Sequence, residues 1–271
     1  MNKKAGPVNI AVRLLLTLMY GVPLLWIVLT SFKTSADVFS TESAWFFRPT
    51  TAAYVNAFDG DLMLAMKQSV IIATSTTALV LLVAIPAAYG LARLGGWFTT
   101  IALGLLIVLQ MVPQTASVIP MFQVFSNWGM LDQTLAVILA DTALLIPFAV
   151  LLLRPFFRGV PIALEEAASI DGASIPRAFL SIVLPIARNG VATTGTLVFL
   201  LSWGEFLYSV NFFLTPGKYP LSALLAQQVS AFGIDWPGLM ALAVITSVPI
   251  LIVFMSTYKQ LRDGLTVGAV K

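Results

Sequence analysis

Residues 68–92 read QSVIIATSTTALVLLVAIPAAYGLA, a stretch of 25 residues without a charged side chain. A helix needs about 20 consecutive, mostly apolar residues to cross the hydrocarbon core of a bilayer. The stretch is long enough to do so, and it ends at Arg93, the kind of residue that commonly borders a span. It therefore predicts a membrane-spanning helix.

The composition of the rest of the chain points to the same class of protein. Of its 271 residues, 59% are hydrophobic and 10% are charged. Soluble domains carry about 45–50% apolar and about 25% charged residues. With 15 basic and 12 acidic residues, the chain cannot cover a globular surface with charge, and it is too apolar to be disordered.

Five further segments have few charges and complete a set of six predicted helices. The helices are expected at 11–32, 66–92, 97–124, 133–155, 187–213 and 237–260. Eleven of the 15 Lys and Arg residues then lie on the side of the N-terminus. Because cytoplasmic loops are enriched in Lys and Arg, both termini are expected in the cytoplasm. The sequence thus predicts an all-α membrane protein.

Residues 1–36 have a second interpretation, as a cleavable secretory signal. Lys3 and Lys4 precede the apolar stretch, and Ser35-Ala36 follows it. The apolar core of such signals spans about 7–15 residues, whereas the charge-free run from 14 to 32 has 19. This length favours a retained first helix.

Several kinds of chemistry are excluded by the residues that the chain lacks. It has no Cys and no His, which removes thiolate nucleophiles, the commonest general base and the usual zinc ligands. It has no phosphate-binding G-x-x-x-x-G-K-[ST] segment, since Gly217-Lys218 is followed by Tyr219. We therefore expect no catalytic residue, no metal and no cofactor bound by this chain. The basic residues are scattered, so nucleic acid is not an expected partner.

The longest predicted cytoplasmic loop, 156–186, begins FFRGVPIALEEAASIDGASIP. Pro161 suits the first position of a helix, and Asp171-Gly172 is expected to end it, because Gly readily adopts the positive φ of a sharp reversal. Ser174 is a candidate cap for a second helix. The loop is therefore predicted to be a helix, a turn and a helix outside the membrane.

The spacing within this loop resembles a known motif. Glu166-Ala167-Ala168, three residues, Gly172, nine residues and then Ile182-Val183-Leu184-Pro185 is similar to the EAA loop of ABC importer membrane subunits. In that family the loop is a coupling helix that sits in a cleft of the cytoplasmic ATPase. The resemblance assigns this role to Glu165, Glu166, Ala167, Ala168, Asp171, Gly172 and Ala173, with Glu166 expected to pair with a basic residue of the ATPase.

The resemblance extends over nearly the whole chain, to the maltose-type permeases of the carbohydrate-uptake branch. The matching segments include Ala87-Ala88-Tyr89-Gly90-Leu91-Ala92-Arg93, Gly129-Met130-Leu131-Asp132 and Leu265-Thr266-Val267-Gly268-Ala269-Val270-Lys271. It implies one permease domain over 1–271 with the fold of a type I importer. Within it, 33–65 is expected to be extracytoplasmic and 261–271 to be a cytoplasmic tail. The tail residues Thr266, Gly268, Ala269 and Lys271 are expected to contact the ATPase. Two positions depart from the family: Gly204 follows Trp203 where Asn is frequent, and Gln68-Ser69 replaces Asn-Ser.

The resemblance also implies the partners and the location. An ATPase dimer would bind ATP and Mg, a second permease subunit would complete the pore, and an extracytoplasmic solute-binding protein would deliver a sugar or sugar-like solute. The location implied is a bacterial or archaeal cytoplasmic membrane. An ion-coupled secondary transporter and a membrane assembly factor without transport are the alternatives. The solute, and which permease subunit holds it, are not specified by the sequence.

Polar and aromatic side chains inside the predicted helices are candidates for the substrate path. They are Gln110, Gln114, Trp203, Glu205, Tyr208 and Asn211. A charge at the centre of a span costs about 2.5–3.5 kcal/mol on insertion scales, so Glu205 should face other helices or a wet cavity. A path role and a packing role are both compatible with this position. Pro113 is expected to kink the third helix, and Trp203 and Phe206 are expected to share a helix face.

Overall fold

The computed structural model describes residues 7–42, 45–230 and 233–267. The described residues form helices joined by short turns, together with one small hairpin. The helices are α1 (Pro7–Ser31), α2 (Ser35–Phe39), α3 (Ala52–Asp59), α4 (Leu62–Arg93), α5 (Gly96–Gln110), α6 (Gln114–Asn127), α7 (Thr134–Arg158), α8 (Ile162–Ile170), α9 (Ile175–Ala178), α10 (Leu184–Ile186), α11 (Arg188–Trp203), α12 (Leu207–Phe212), α13 (Leu221–Gln227) and α14 (Trp236–Val267). A π-helical turn, Phe179–Val183, joins α9 to α10, and a 3₁₀ turn covers Pro216–Lys218. The strands β1 (Val229–Ser230) and β2 (Gly233–Ile234) pair antiparallel.

Four of the helices within the described ranges are long and apolar enough to cross a membrane by themselves: α1, α4, α7 and α14. Two further candidates are bent pairs, α5 with α6 and the 175–186 segment with α11. Length and composition thus give four spans, or six if each bent pair is one span. The predicted count of six, and the cytoplasmic position of both termini, stay predictions.

The third predicted helix, 97–124, is not continuous. Helix α5 ends at Gln110, α6 begins at Gln114, and the two are bent by 91°. Pro113 lies in the break with an extended backbone, φ −62° and ψ 135°. Because proline lacks an N–H and its ring clashes with the preceding helical turn, it favours the end of one helix and the start of another. The expected kink is therefore a full break, and the prediction of one continuous helix was wrong.

The fifth predicted helix, 187–213, is also divided. Helix α11 ends at Trp203, and α12 begins at Leu207. The backbone of Phe206 leaves the helical region, with φ −128°. Helical spacing therefore does not relate Trp203 to Phe206, and the prediction that they share a helix face was wrong.

The contacts between Cα atoms divide the chain into two compact units. The first contains Met1–Met63 and Ala223–Pro249. In it, the hydroxyl of Ser31 lies 2.7 Å from that of Tyr54. The ammonium of Lys33 lies 4.8 Å from the ring centre of Trp26 and 5.0 Å from that of Phe47. Phe47 and Tyr54 of the 33–65 segment therefore contact residues at and just after the end of α1.

The second unit contains Leu64–Ser222 and Ile250–Lys271. Its core lies between α4, α7 and α11, where small side chains let helices approach closely. The fully buried members include Val80, Ala84, Ala88, Ala149, Leu153 and Val198. Gly190 of α11 lies against the side chain of Phe156, which leaves no room for a β-carbon. This core supports both sites described next.

Candidate functional site

The predicted coupling helix is present as α8. It begins one residue after Pro161, which occupies the N-cap position with ψ 130° and not the expected first helical position. Gly172 has φ +83°, and the amide of Ala173 donates to the carbonyl of Ala168 over 2.9 Å. A positive φ with this backward hydrogen bond is a common way to end a helix. The predicted stop at Asp171-Gly172 is confirmed.

The second helix of the loop begins at Ile175, so Ser174 holds the predicted N-cap position. Its backbone is extended, with φ −69° and ψ 157°, but its side chain makes no capping hydrogen bond. The prediction that the Ser174 hydroxyl caps this helix was therefore wrong. Pro176 lies in the first turn, where a missing N–H has no cost.

The root of α8 is fixed by Arg93, the last residue of α4. Its Nε atom donates to Oε1 of Glu165 over 2.6 Å. Its Nη1 and Nη2 atoms donate to the carbonyls of Phe157 and Val160 over 3.0 and 3.1 Å. The hydroxyl of Tyr89 donates to the second carboxylate oxygen of Glu165 over 2.5 Å. One guanidinium thus joins the end of α7, the start of α8 and the end of α4.

Aromatic packing surrounds this contact, which we call the Arg93–Glu165 anchor. The ring of Tyr89 lies 4.6 Å from that of Phe179 and 6.1 Å from that of Phe157. The side chains of Arg93 and Glu165 are 16% and 15% exposed. Because the pair is shielded and its donors are held in place, it contributes more than an exposed surface ion pair would.

Most of the other predicted coupling residues are exposed. Glu166, Ala167, Asp171 and Gly172 are exposed, Ala168 is buried and Ala173 is half-buried. A groove of about 490 Å³ runs between α8 and the following segment, and its lining includes Ala167, Ala168, Asp171, Ala173, Arg177 and Ile182. The structure therefore separates two neighbours that sequence reasoning treated alike: Glu165 is engaged inside the chain, and Glu166 is available to a partner.

Sequence reasoning missed Arg93 and Tyr89 as functional candidates. Both lie in the segment that carries the family resemblance, but no sequence signal connects them with Glu165, which follows more than 70 residues later. It also missed the apolar side chains Ile170 and Ile175, which are 86% and 71% exposed on either side of the Gly172 turn. Both add apolar surface to the exposed end of the loop.

A second cavity, of about 270 Å³, lies at the breaks of the bent helices. Its lining residues are Gln114, Asp141, Leu144, Leu145, Leu201, Gly204, Glu205, Phe206 and Leu207. Two of the six predicted path residues, Gln114 and Glu205, lie together here, with Gln114 Nε2 donating to Glu205 Oε1 over 3.4 Å. Asp141 adds a second carboxylate, which accepts from the hydroxyl of Ser202 over 2.5 Å.

The carboxylate of Glu205 is fully engaged with the start of α12. It accepts from the backbone amides of Tyr208 and Ser209 over 2.6 and 3.1 Å, and from the hydroxyl of Ser209 over 2.6 Å. The first amides of a helix have no partner within it, and a side-chain acceptor supplies one. These bonds offset the cost of burying the carboxylate. Glu205 therefore has a structural role at the helix break while it lines the cavity.

The remaining predicted path residues lie elsewhere. Tyr208 is fully buried, and its hydroxyl lies 2.6 Å from that of Ser117. Trp203 is buried and stacks on Phe199, with ring centres 5.7 Å apart. Gln110 is exposed at the end of α5, and Asn211 is exposed and donates to a carbonyl of its own helix over 2.6 Å. None of these four side chains lines the described cavity.

Comparison with known proteins assigns the chain to a family. Residues 80–267 match the family described as "Binding-protein-dependent transport system inner membrane component". The chain belongs to this family. It is therefore a multi-pass permease of the inner membrane, and the resemblance noted in its sequence is confirmed.

Two relatives and one solved structure describe this membership further. The permease is 34% identical to the sulfoquinovosyl glycerol transport system permease of Agrobacterium fabrum, over 92% of this chain and 88% of the relative. It is 30% identical to a diacetylchitobiose uptake system permease of Streptomyces coelicolor, over 98% and 89%. A bacterial ABC transporter involved in import of the acidic polysaccharide alginate matches with a TM-score of 0.80 and 18% identity, over 94% and 95%. The last match shows that the permease has the fold of an ABC importer membrane subunit.

Asp132 of the permease forms a clamp on the segment that follows α12. Its carboxylate accepts from the amides of Leu214 and Thr215 over 2.9 and 3.0 Å and from the ammonium of Lys218 over 2.7 Å. The bonds to Lys218 and to the Thr215 hydroxyl hold the pKa of Asp132 well below its usual range. Asp132 also has φ +61°, an uncommon value for a non-glycine residue. The clamp joins two turns that are distant in sequence.

The predicted tail of the permease begins as a continuation of α14, which extends to Val267 and beyond the predicted end at 260. Thr266 lies in the last turn of this helix, where its side chain is not described. Gly268, Ala269 and Lys271 lie outside the described residues. Their expected contact with an ATPase stays a prediction.

Proposed function

We propose that the chain is the membrane-spanning subunit of an ATP-driven ABC importer that moves a sugar or sugar-like solute by alternating access. The observation that carries this proposal is the coupling loop. It presents Glu166 and the Gly172 turn outwards, while Glu165 and Arg93 fix its root to the spanning helices. The relatives support the solute class, since they are named for sulfoquinovosyl glycerol and for diacetylchitobiose.

ATP is hydrolysed in a separate subunit in this proposal. The sequence holds no segment that could cradle the phosphates of a nucleotide, so ATP and Mg belong to an ATPase dimer. The exposed face of α8 and the groove beside it form the docking surface, with Glu166 paired to a basic residue of the ATPase. The tail residues after 260 form a second contact.

The mechanism is a shift between two arrangements of the bundle. Closure of the ATPase pushes on α8, and the Arg93–Glu165 anchor passes the push to the ends of α4 and α7. A ligand can shift such an equilibrium only by binding one state better than the other, and ATP supplies that difference through the docked ATPase. The broken helices beside the Gln114–Glu205 cavity are the elements expected to move, since irregular backbone is tolerated at this depth where it lines a cavity.

Two further partners complete the importer. Six spans form half of a pore, so a second permease subunit is required. The family description names a binding protein, and we expect such a protein to deliver the solute to the outer segments 33–65 and 214–236. The relatives are named for different solutes, so the proposal specifies a class of solute and not one compound.

The decisive experiment changes the docking surface without changing the anchor. In Glu166→Lys and Gly172→Pro, we expect the protein to insert and to assemble while ATP-dependent solute uptake is lost. Glu166→Asp keeps the negative charge at the same exposed position, should retain most of the uptake and serves as the matched control. Uptake of labelled disaccharide by intact cells is the measurement. Normal uptake by both loop variants would contradict the proposed docking role.

The two alternatives are tested by purification. An importer subunit should be recovered from detergent together with an ATPase and a second permease. Recovery of the chain alone, with uptake driven by an ion gradient, would support a secondary transporter. Recovery with other membrane proteins and no uptake would support an assembly factor.

A further inference from the structure

A third cavity, which shares no lining residue with the groove beside α8 or with the Gln114–Glu205 cavity, lies between the start of α11 and the end of α14. It has a volume of about 550 Å³, and it is lined by Arg188, Asn189, Ala192, Lys259 and Gln260. The hydroxyl of Thr193 bonds to the carbonyls of Gln260 and Asn189 over 3.1 and 2.7 Å. The two helices are therefore joined next to this cavity, which we call the basic cleft.

The basic cleft carries positive charge that the described chain does not neutralise. Arg188 and Lys259 are both exposed, and neither has an ion pair or a side-chain hydrogen bond within the described residues. No carboxylate lines the cleft among the described side chains, which end at Arg262 on this helix. Two basic side chains at one cavity create a site for an anion.

One polar atom of a residue that lines the cleft also lacks a hydrogen-bond partner. The Oε1 atom of Gln260 is enclosed and has no hydrogen-bond partner. Buried polar atoms in folded proteins are almost always paired. An amide pair from Asn189 and Gln260, next to two cations, offers both donors and an acceptor to a polar ligand.

An apolar stripe leads along α14 to the cleft. Leu251, Met255 and Lys259 follow each other at intervals of four residues, so they lie on one face of the helix. Leu251 is 55% exposed and Met255 is 74% exposed, and their neighbour Ile252 is 63% exposed. In a helix that is apolar enough to span a bilayer, such a face meets acyl chains. The lysine that ends the stripe is then at the level of the lipid headgroups.

We infer that the basic cleft binds the headgroup of an anionic phospholipid. The phosphate lies between Arg188 and Lys259, the amides of Asn189 and Gln260 bond to its ester oxygens and hydroxyls, and an acyl chain follows Leu251 and Met255. Basic pockets between spanning helices on the cytoplasmic side are known to bind such headgroups. A free phosphate ion would use the same cations, but it would leave the apolar stripe without a role.

The test is lipid binding by the full chain, purified in detergent and measured by native mass spectrometry. The probes are phosphatidylglycerol, phosphatidylcholine and inorganic phosphate. We expect the wild type to retain phosphatidylglycerol in preference to phosphatidylcholine. Each basic residue near an anionic headgroup is expected to raise the affinity for the lipid roughly fivefold. Arg188→Gln with Lys259→Gln should therefore weaken phosphatidylglycerol binding roughly twenty-fivefold.

Two matched variants separate lipid recognition from general effects of charge and folding. Arg48→Gln with Lys67→Gln removes two exposed cations outside the cleft and should leave lipid binding unchanged. Arg188→Lys with Lys259→Arg keeps the charge and should retain it. Equal affinity for the two lipids, equal loss in the Arg48 and Lys67 variant, or binding of inorganic phosphate that phosphatidylglycerol does not displace would each overturn the inference.

Discussion

The Arg93–Glu165 anchor leads to a quantitative prediction about the coupling loop. In Glu165→Gln, the side chain keeps its shape but loses the charge that three donors from Arg93 and Tyr89 surround. Hydrogen bonds to a charged group contribute about 1.5–3 kcal/mol, and the pair is mostly shielded from water. We therefore expect α8 to be held to α4 less strongly by about 2 kcal/mol, which makes local opening roughly thirtyfold more frequent.

Amide hydrogen exchange of the purified chain measures this opening directly. Backbone amides within 162–173 should exchange roughly thirtyfold faster in Glu165→Gln, while those of α7 and α11 should change little. Glu166→Gln is the matched control, because it makes the same chemical change at the exposed neighbour. It should leave exchange in the loop unaltered and lower only the coupling to the ATPase.

Two results would refute this reasoning. Unchanged exchange in Glu165→Gln would show that the anchor does not hold the loop. Equal acceleration in Glu166→Gln would show that the loop responds to any loss of charge. A double-mutant cycle with Arg93→Gln should show an interaction energy of about 1–2 kcal/mol between the two side chains, because residues in one hydrogen-bond network are not additive.

Three other predictions concern the helices and the clamp. In Gly190→Ala, the new Cβ would come within 2.6 Å of Phe156 Cδ1. Thermal unfolding should therefore report a loss of about 1–3 kcal/mol, whereas Gly204→Ala meets nothing closer than 3.6 Å and should be tolerated. Glu205→Ala should lower the Tm of the purified chain, because two helix amides lose their acceptor, and Glu205→Gln should restore most of it. A transport defect in Glu205→Ala with an unchanged Tm would favour a path role over a structural one. Because the pKa of folded Asp132 lies below its unfolded value, the stabilisation from its clamp should be complete at about pH 7 and be lost as the pH falls below about 4. The Tm difference between the wild type and Asp132→Asn should accordingly shrink in acid, and a difference that grows there would contradict the assignment.

Much of the candidate site was accessible from sequence because local chemistry determines it. Gly172 ends α8 since a positive φ is inexpensive only for glycine and a few others, and that requirement is visible in the residue itself. The sequence predicted that Pro113 would disturb the helix, but it did not predict a complete break. A missing N–H predicts a disturbance at that position, but the 91° bend depends on what packs against both halves of the broken helix.

The different positions of Glu165 and Glu166 could not be predicted from the sequence. Adjacent residues on a helix point about 100° apart, so only one of two neighbouring glutamates can face the end of α4. Nothing in the motif indicates which one, and Arg93 is remote in sequence. The sequence also does not show the role of Glu205. Its carboxylate accepts hydrogen bonds from α12 only because the chain leaves the helical conformation at Phe206.

The sequence by itself determined that the chain belongs in a membrane and that a helix of the loop resembling the EAA motif ends at Gly172. These properties follow from composition and from local backbone preferences, which act without reference to distant residues. Only the tertiary structure decided which glutamate anchors the loop, which polar residues share a cavity and which basic side chains meet at the cleft between α11 and α14. Those outcomes depend on the approach of helices that are distant in sequence, and a shared face or a closed hydrogen bond exists only after the helices have packed.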